Sequence, residues 1–93
     1  MNPTRILLVD DHQMLREGLR AILDRDPGIE VIGEASTGLQ AVSLARRLAP
    51  DVVVMDVGMA EMNGIEATRE ICRAAPAIRV VALSTHSDKR YVL

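Results

Sequence analysis

The stretch ILLVDD at residues 6–11 decides the fold, because four apolar residues in a row end in two acids. The stretches VVVMD at residues 52–56 and VVALS at residues 80–84 repeat this pattern of an apolar run that ends in a polar residue. Short apolar runs rich in β-branched residues are typical of strands buried on both faces of a parallel sheet. The run at residues 80–84 is apolar up to its last residue, which is typical of a central strand, but with no strand after it one of its edges is expected to be unpaired. A fourth stretch, IEVIGEA at residues 29–35, mixes polar and apolar residues and predicts a strand nearer the sheet edge.

Helical periodicity fills the gaps between the first three strands. Apolar residues recur at helical spacing over 15–23, and Asp26-Pro27-Gly28 then stops that helix. Thr37 and Gln40 have the spacing of a capping box at the start of a second helix. Pro50 predicts the end of that helix, because proline lacks the backbone N–H that a continuing helix needs.

A third helix is predicted between Asn63 and Pro76, with Ile71 and Cys72 among the residues of its apolar face. The start of another helix is predicted near Asp88. The order is therefore βαβαβαβ. Alternation of this kind predicts an α/β fold with a doubly wound parallel sheet, helices on both faces and right-handed crossovers.

Composition excludes several classes of protein. The 93 residues, 48% hydrophobic and 26% charged, indicate one small globular domain. The net charge of −2 and the scattered arginines predict no direct contact with DNA from these residues. Cys72 is the single cysteine, so no internal disulfide is possible. No segment approaches the roughly 20 apolar residues of a membrane span, so we expect no membrane association and a cytoplasmic protein.

Three carboxylates follow buried strands: Asp10 and Asp11 after the first, and Asp56 after the third. If those two strands are neighbours, the acids converge in one pocket, and a cation must offset their repulsion. Mg²⁺ suits such an oxygen-rich site, and the backbone carbonyl of Gly58 is a candidate further ligand. A Mg²⁺ there would also clamp a phosphoryl oxygen, to which the Ser84 hydroxyl could donate a hydrogen bond.

Simpler interpretations exist for single residues of this group. An isolated Asp after a strand is most often a turn residue or an N-cap, and Asp11 could cap the first helix. His12 opens that helix, and we favour a partly exposed polar residue over a metal ligand. The functional interpretation gains its weight from three acids together, each at the end of a buried strand.

Five segments together resemble the response-regulator receiver family, and specifically its NarL/FixJ-type branch. The resemblance covers essentially the whole chain and rests on ILLVDDH (6–12), VIGEA (31–35), PDVVVMD (50–56), MNGIEA (62–67) and VVALS (80–84). It implies a flavodoxin-like, CheY-like receiver fold with strand order 2-1-3-4. It also implies a protein of two-component signal transduction and transcription regulation.

By the same resemblance, each site residue receives a role. Asp56 is the phosphoacceptor, Asp10 and Asp11 are the acidic pair that binds Mg²⁺, and Ser84 is the switch hydroxyl. The phosphoryl donor would be a phosphohistidine on a sensor histidine kinase. DNA would be bound only through a C-terminal output domain that is absent from this chain.

The sequence departs from the family pattern in two respects. Ala60 stands where the family usually has proline, which should loosen the loop after the phosphoacceptor. The family's fifth strand and last helix have no counterpart, so we expect residues 1–93 to be a receiver domain that is incomplete at its C-terminus. Lys89 does not match the place of the family's phosphate-binding lysine. The uncovered sheet edge predicts a homodimer or a swapped oligomer.

The expected function is a phosphorylation switch, and we do not expect an enzyme. Two other functions remain open. An aspartyl-nucleophile phosphohydrolase would use a similar Mg²⁺ site, but those enzymes generally need a second acid where this chain has Gly58. The other is a truncated receiver that acts only as an association module through its exposed sheet edge.

Overall fold

Strands and helices alternate along the chain in the predicted order. The structure is a computed structural model that describes residues 2–56 and 64–83. Each of its helices has eleven residues, and none in those two ranges is both long enough and apolar enough to cross a membrane. The elements are β1 (Thr4–Val9), α1 (Gln13–Leu23), β2 (Ile29–Ala35), α2 (Gly38–Leu48), β3 (Val52–Asp56), α3 (Gly64–Ala74) and β4 (Arg79–Leu83).

The four strands form one parallel sheet in the order β2-β1-β3-β4. This confirms the predicted strand order and the edge position of β2. Among the described residues β4 lies at the other edge, where it pairs with β3 alone and Val81 is 48% exposed, in agreement with the predicted order 2-1-3-4 and its uncovered edge. An apolar run indicates a strand, but it does not report which neighbours cover that strand.

Both faces of the sheet carry helices, as a doubly wound fold requires. Leu7, Val9, Val53 and Met55 are fully buried on one face, against residues of α2 and α3. Alternate residues of β1 and β3 point to the opposite face, where α1 lies. The core on the α1 face consists of Ile6, Leu8 and Val31, with Leu19, Leu23, Ile29, Val52 and Val54 packed against it.

The buried faces of α1 and α3 differ from the predicted ones. In α3 the buried positions are Ala67 and Ile71, whereas Ile65 and Cys72 are exposed. Cys72 follows Ile71 by about 100° around the helix, which turns it away from the sheet. The prediction of a core position for Cys72 is therefore wrong. In α1 Ile22, one of the apolar residues at helical spacing over 15–23, is 64% exposed and lies outside the core.

The predicted cap of α2 is confirmed. The Thr37 hydroxyl accepts a hydrogen bond from the Gln40 backbone N–H at 3.1 Å, and the Gln40 side chain accepts one from the Ser36 N–H at 2.9 Å. The helix ends at Leu48, and its C-cap residue Ala49 has a left-handed φ of 47° immediately before Pro50. These contacts fix both ends of the helix that covers the sheet on the α2 face.

Candidate functional site

Asp10 and Asp56 stand side by side at one edge of the sheet. Val9 lies opposite Met55 in the parallel pairing of β1 with β3, so the next residue on each strand is an acid. Asp10 is 2% exposed and Asp56 is 1% exposed. Two ionised carboxylates so deeply buried repel each other and lose much of their hydration. The fold therefore creates a local demand for positive charge at this edge.

The turn after β1 holds the Asp10 side chain in place. The Asp10 backbone N–H donates to the Ala35 carbonyl at 3.0 Å, which extends the pairing with β2 by one residue. The Asp10 Oδ1 accepts a hydrogen bond from the His12 backbone N–H at 2.7 Å. His12 is the N-cap residue of α1, with extended backbone angles of φ −99° and ψ 104°. The helix is thus not capped by Asp11, which was the alternative interpretation of that residue.

The His12 imidazole contacts both acids of the pair. Its Nδ1 lies 3.1 Å from the Asp10 Oδ1 and 3.0 Å from the Asp11 Oδ1. The hydrogen bond to Asp10, with the charge of Asp11 next in importance, raises the pKa of His12 above its ordinary value of 6.5. The His12 side chain is 54% exposed, which agrees with a partly exposed polar residue. Its contact with two carboxylates is a feature that the sequence analysis missed.

The structure brings the three predicted acids together, with His12 beside them. Asp10, Asp11, His12 and Asp56 each offer one ligand atom within 4.8 Å of the others. The Asp10 Oδ2 is buried and has no hydrogen-bond partner among residues 2–56 and 64–83. A buried carboxylate oxygen without a donor fits a hard divalent cation, whose bond would supply the missing partner. The donor set at this edge therefore suits a metal ion, and we call these four residues the acidic pocket.

The other predicted site residues cannot be placed in this way. Gly58 and Ser84 lie outside the described residues, as do Ala60 and Lys89. A carbonyl ligand from Gly58 and a switch hydroxyl from Ser84 therefore stay predictions. The same is true of the specific roles of the three acids, since the geometry gives their proximity and not their chemistry.

Two arginines on α1 tie the pocket to β2, and the sequence analysis did not find them. The Arg16 guanidinium donates to the Asp10 carbonyl at 2.6 Å and to the Glu34 carboxylate at 2.9 Å. Arg20 donates to the other Glu34 oxygen at 2.6 Å. The bond from Arg20, assisted by Arg16, lowers the pKa of Glu34 below its ordinary value of 4.5. The spacing of four residues between the arginines was the available signal, because it places both on one helix face.

Comparisons with known proteins give a consistent result. The family model described as "Response regulator receiver domain" matches residues 6–93. The transcriptional regulatory protein LiaR of Bacillus subtilis is 51% identical over 84 residues, or 90% of this chain and 40% of LiaR. A LuxR-family two-component response regulator from an Aurantimonas species matches with a TM-score of 0.88 and 40% identity, covering 97% of this chain and 64% of that one.

A third match comes from a complex that contains a metal. A chain of the CheX–CheY–BeF₃–Mg²⁺ complex from Borrelia burgdorferi matches with a TM-score of 0.86 and 27% identity, covering 98% of this chain and 69% of that one. This chain spans about two-fifths of the length of LiaR. The similarity to LiaR therefore concerns one part of a longer regulator.

Proposed function

Because the chain belongs to the response-regulator receiver family, we propose that it is a phosphorylation switch that accepts a phosphoryl group on Asp56. The observation that carries this proposal is the acidic pocket, in which Asp10, Asp11 and Asp56 lie within 4.8 Å of one another. Asp56 is almost fully buried at a strand end, yet it shares the pocket with the exposed Asp11. A donor group can therefore approach along the exposed side of the pocket while the fold holds the acceptor.

Asp10, Asp11 and Asp56 would hold a Mg²⁺ ion, with the Gly58 carbonyl as a further oxygen ligand. Their oxygens are the ligand type that this ion prefers, and Asp10 Oδ2 has no other partner among the described residues. When bound, Mg²⁺ supplies positive charge that neutralises the phosphoryl oxygens during transfer. The CheY complex with BeF₃ and Mg²⁺ supports this assignment, because a similar receiver was crystallised with that ion.

The transfer itself is a substitution at phosphorus. One carboxylate oxygen of Asp56 forms a bond to the phosphorus of a phosphohistidine on a sensor histidine kinase. The bond from phosphorus to the histidine nitrogen breaks, and the electron pair stays on that nitrogen, which takes up a proton. Asp56 becomes an acyl phosphate. Arg16 would steady the main chain beside it through the Asp10 carbonyl.

The new phosphoryl group would act on the surface around β4. The Ser84 hydroxyl would donate a hydrogen bond to a phosphoryl oxygen, drawing the segment after β4 toward the pocket. The changed surface would control formation of a homodimer or swapped oligomer, or the activity of a DNA-binding output domain. We assign residues 1–93 to one receiver domain, place the protein in the cytoplasm, and expect DNA contact only through such an output domain.

Intact-mass measurement tests the phosphoacceptor directly. The protein is incubated with acetyl phosphate and Mg²⁺, and the number of phosphoryl groups per chain is counted. We expect one group on the wild type and none on Asp56→Asn. The matched control is Asp24→Asn, because Asp24 is an exposed acid at the end of α1 and away from the pocket.

Two results would reject this proposal. One is the absence of any adduct on the folded wild-type protein in the presence of Mg²⁺. The other is an adduct that survives in Asp56→Asn. Multiple-turnover release of phosphate from a small phosphoester would instead support the phosphohydrolase, which no observation in the described residues favours over the switch.

A further inference from the structure

The His12 imidazole adds a nitrogen donor to a pocket whose other candidate ligands are carboxylate oxygens. Its Nδ1 is 3.1 Å from the Asp10 Oδ1 and 3.0 Å from the Asp11 Oδ1. Donor atoms on adjacent corners of an octahedral ion with bonds of about 2.1 Å lie about 3.0 Å apart. The His12 nitrogen thus lies at the spacing of a neighbouring ligand from each of the two carboxylate oxygens.

A second observation points to an ion at the same place. The Asp10 side chain is 3% exposed, and its Oδ2 has no hydrogen-bond partner in the described part of the chain. The four candidate ligand atoms, including one from His12, all lie within 4.8 Å of one another. The pocket therefore combines a buried carboxylate oxygen that lacks a donor with an imidazole nitrogen beside the same carboxylate.

We propose that His12 Nδ1 is a metal ligand and that the pocket also takes first-row transition dications with a mixed nitrogen and oxygen donor set. This inference rests on the pocket of the proposed function and extends it to metal selectivity. Imidazole suits ions such as Ni²⁺ and Zn²⁺, whereas Mg²⁺ prefers oxygen ligands and binds through carboxylates and water. His12 should therefore strengthen Ni²⁺ binding while leaving Mg²⁺ binding nearly unchanged.

The N-cap position of His12 makes a clean variant available. Asparagine is among the most favourable N-cap residues, so His12→Asn keeps the start of α1 and the backbone N–H that binds Asp10. The variant removes only the imidazole. The matched control is His86→Asn, since His86 is the other histidine of the sequence.

The alternative role for His12 is that of a counter-ion that neutralises the acids when no metal is bound. The two roles predict opposite results for His12→Asn. If the imidazole is only a competing cation, its removal strengthens binding of Ni²⁺ and Mg²⁺ by similar factors. If it is a ligand, its removal weakens Ni²⁺ binding and leaves that of Mg²⁺ within about twofold.

The test uses isothermal titration calorimetry on untagged protein with Ni²⁺ and with Mg²⁺, at an alkaline pH of about 8 that favours neutral imidazole. Loss of an outer-shell partner already costs about 10–100-fold in metal affinity, so loss of a direct ligand should raise the Kd for Ni²⁺ at least about tenfold. Pulsed EPR of the Mn²⁺-loaded protein gives an independent signature. We expect ¹⁴N coupling in the wild type and in His86→Asn, and none in His12→Asn.

Several outcomes would overturn the inference. They are an unchanged ratio of the two affinities in His12→Asn, a parallel strengthening of both, or a ¹⁴N coupling that survives in that variant. Each leaves the proposed function standing if Mg²⁺ and acetyl phosphate still modify Asp56. Conversely, a ¹⁴N coupling without any Asp56 adduct would support the His12 ligand and reject the phosphoacceptor.

Discussion

Replacing Asp10 with Asn should make the metal-free protein more stable. Asp10 and Asp56 are both nearly fully buried, and their ligand atoms lie within 4.8 Å of each other. Asn has the shape of Asp without its charge. The change therefore removes the repulsion and the desolvation cost of one carboxylate while the side-chain oxygen still accepts the His12 N–H.

The size of the effect follows from these distances. Two unit charges 4.8 Å apart repel by about 3.5 kcal/mol at an effective dielectric constant of about 20. Against this gain stands the weaker hydrogen bonding of a neutral amide to the His12 backbone N–H and to the imidazole Nδ1, two contacts that each lose about 1–1.5 kcal/mol. The free energy of unfolding should rise by about 1 kcal/mol. In a domain of this size that corresponds to a Tm higher by about 4–8 °C.

Urea unfolding followed by far-UV circular dichroism measures this change, once with EDTA and once with Mg²⁺. An ion that binds only the folded state adds about 2.7 kcal/mol at a free concentration of a hundred times its Kd. We expect wild type to gain this stability from Mg²⁺ and Asp10→Asn to gain little. The two proteins should thus change rank between the two buffers, whereas Asp24→Asn should stay within about 0.5 kcal/mol of wild type in EDTA.

One result would refute the electrostatic reasoning. If Asp10→Asn is less stable than wild type in EDTA, the carboxylate contributes more through its hydrogen bonds than it costs through repulsion. The acidic pocket would then be a structural network whose carboxylates are stabilised by their hydrogen bonds. An equal Mg²⁺ stabilisation of both proteins would separately remove Asp10 from the ligand set.

Three further predictions concern the surroundings of the pocket. Because the pKa of Glu34 is lowered in the folded state, its contribution to stability is complete above its ordinary value of 4.5 and lost as the pH falls through the lower folded value. Glu34→Gln should flatten that acid limb in urea midpoints measured between about pH 6 and pH 3. Arg16→Gln should lower the free energy of unfolding by about 1–3 kcal/mol and weaken Mg²⁺ binding in calorimetry, because the backbone carbonyl that follows β1 loses its charged donor. A normal Mg²⁺ affinity in that variant would count against a positioning role. Ile71→Ala should cost about 2–5 kcal/mol, since Ile71 is 1% exposed, whereas Cys72→Ala should stay within about 0.5 kcal/mol. Similar losses for the two would contradict the buried face of α3.

The strands and the meeting of the acids were predictable from sequence for a local reason. An apolar run such as residues 6–9 or 52–55 has few alternatives to a strand buried on both faces. An acid that directly follows such a run must lie at the carboxyl edge of the sheet. Once β1 and β3 are neighbours, the proximity of Asp10 and Asp56 needs no further information. The strand order itself came from the family resemblance and not from the pattern of residues.

The features that sequence reasoning missed depend on which surfaces meet. The face of α3 is set by where Ala67 and Ile71 contact the sheet, and Cys72 is as apolar as its buried neighbours. Arg16 reaches the Asp10 carbonyl because α1 packs beside β2. The same packing brings Glu34 within hydrogen-bond distance of the Arg16 guanidinium. The orientation of the His12 ring toward two carboxylates is a rotamer choice that composition and spacing do not encode.

The acidic pocket has a buried side and an exposed side, and the two should answer to different perturbations. Asp10 and Asp56 form the buried side, where solvent screens their charges weakly, so a change there acts on the stability of the fold. The Asp11 and His12 side chains, 34% and 54% exposed, form the side through which a bound ion would exchange with water. A change on that side should alter which ion binds while leaving the fold nearly as stable. Selectivity and stability are therefore separable in this pocket, because different residues of one turn after β1 carry them.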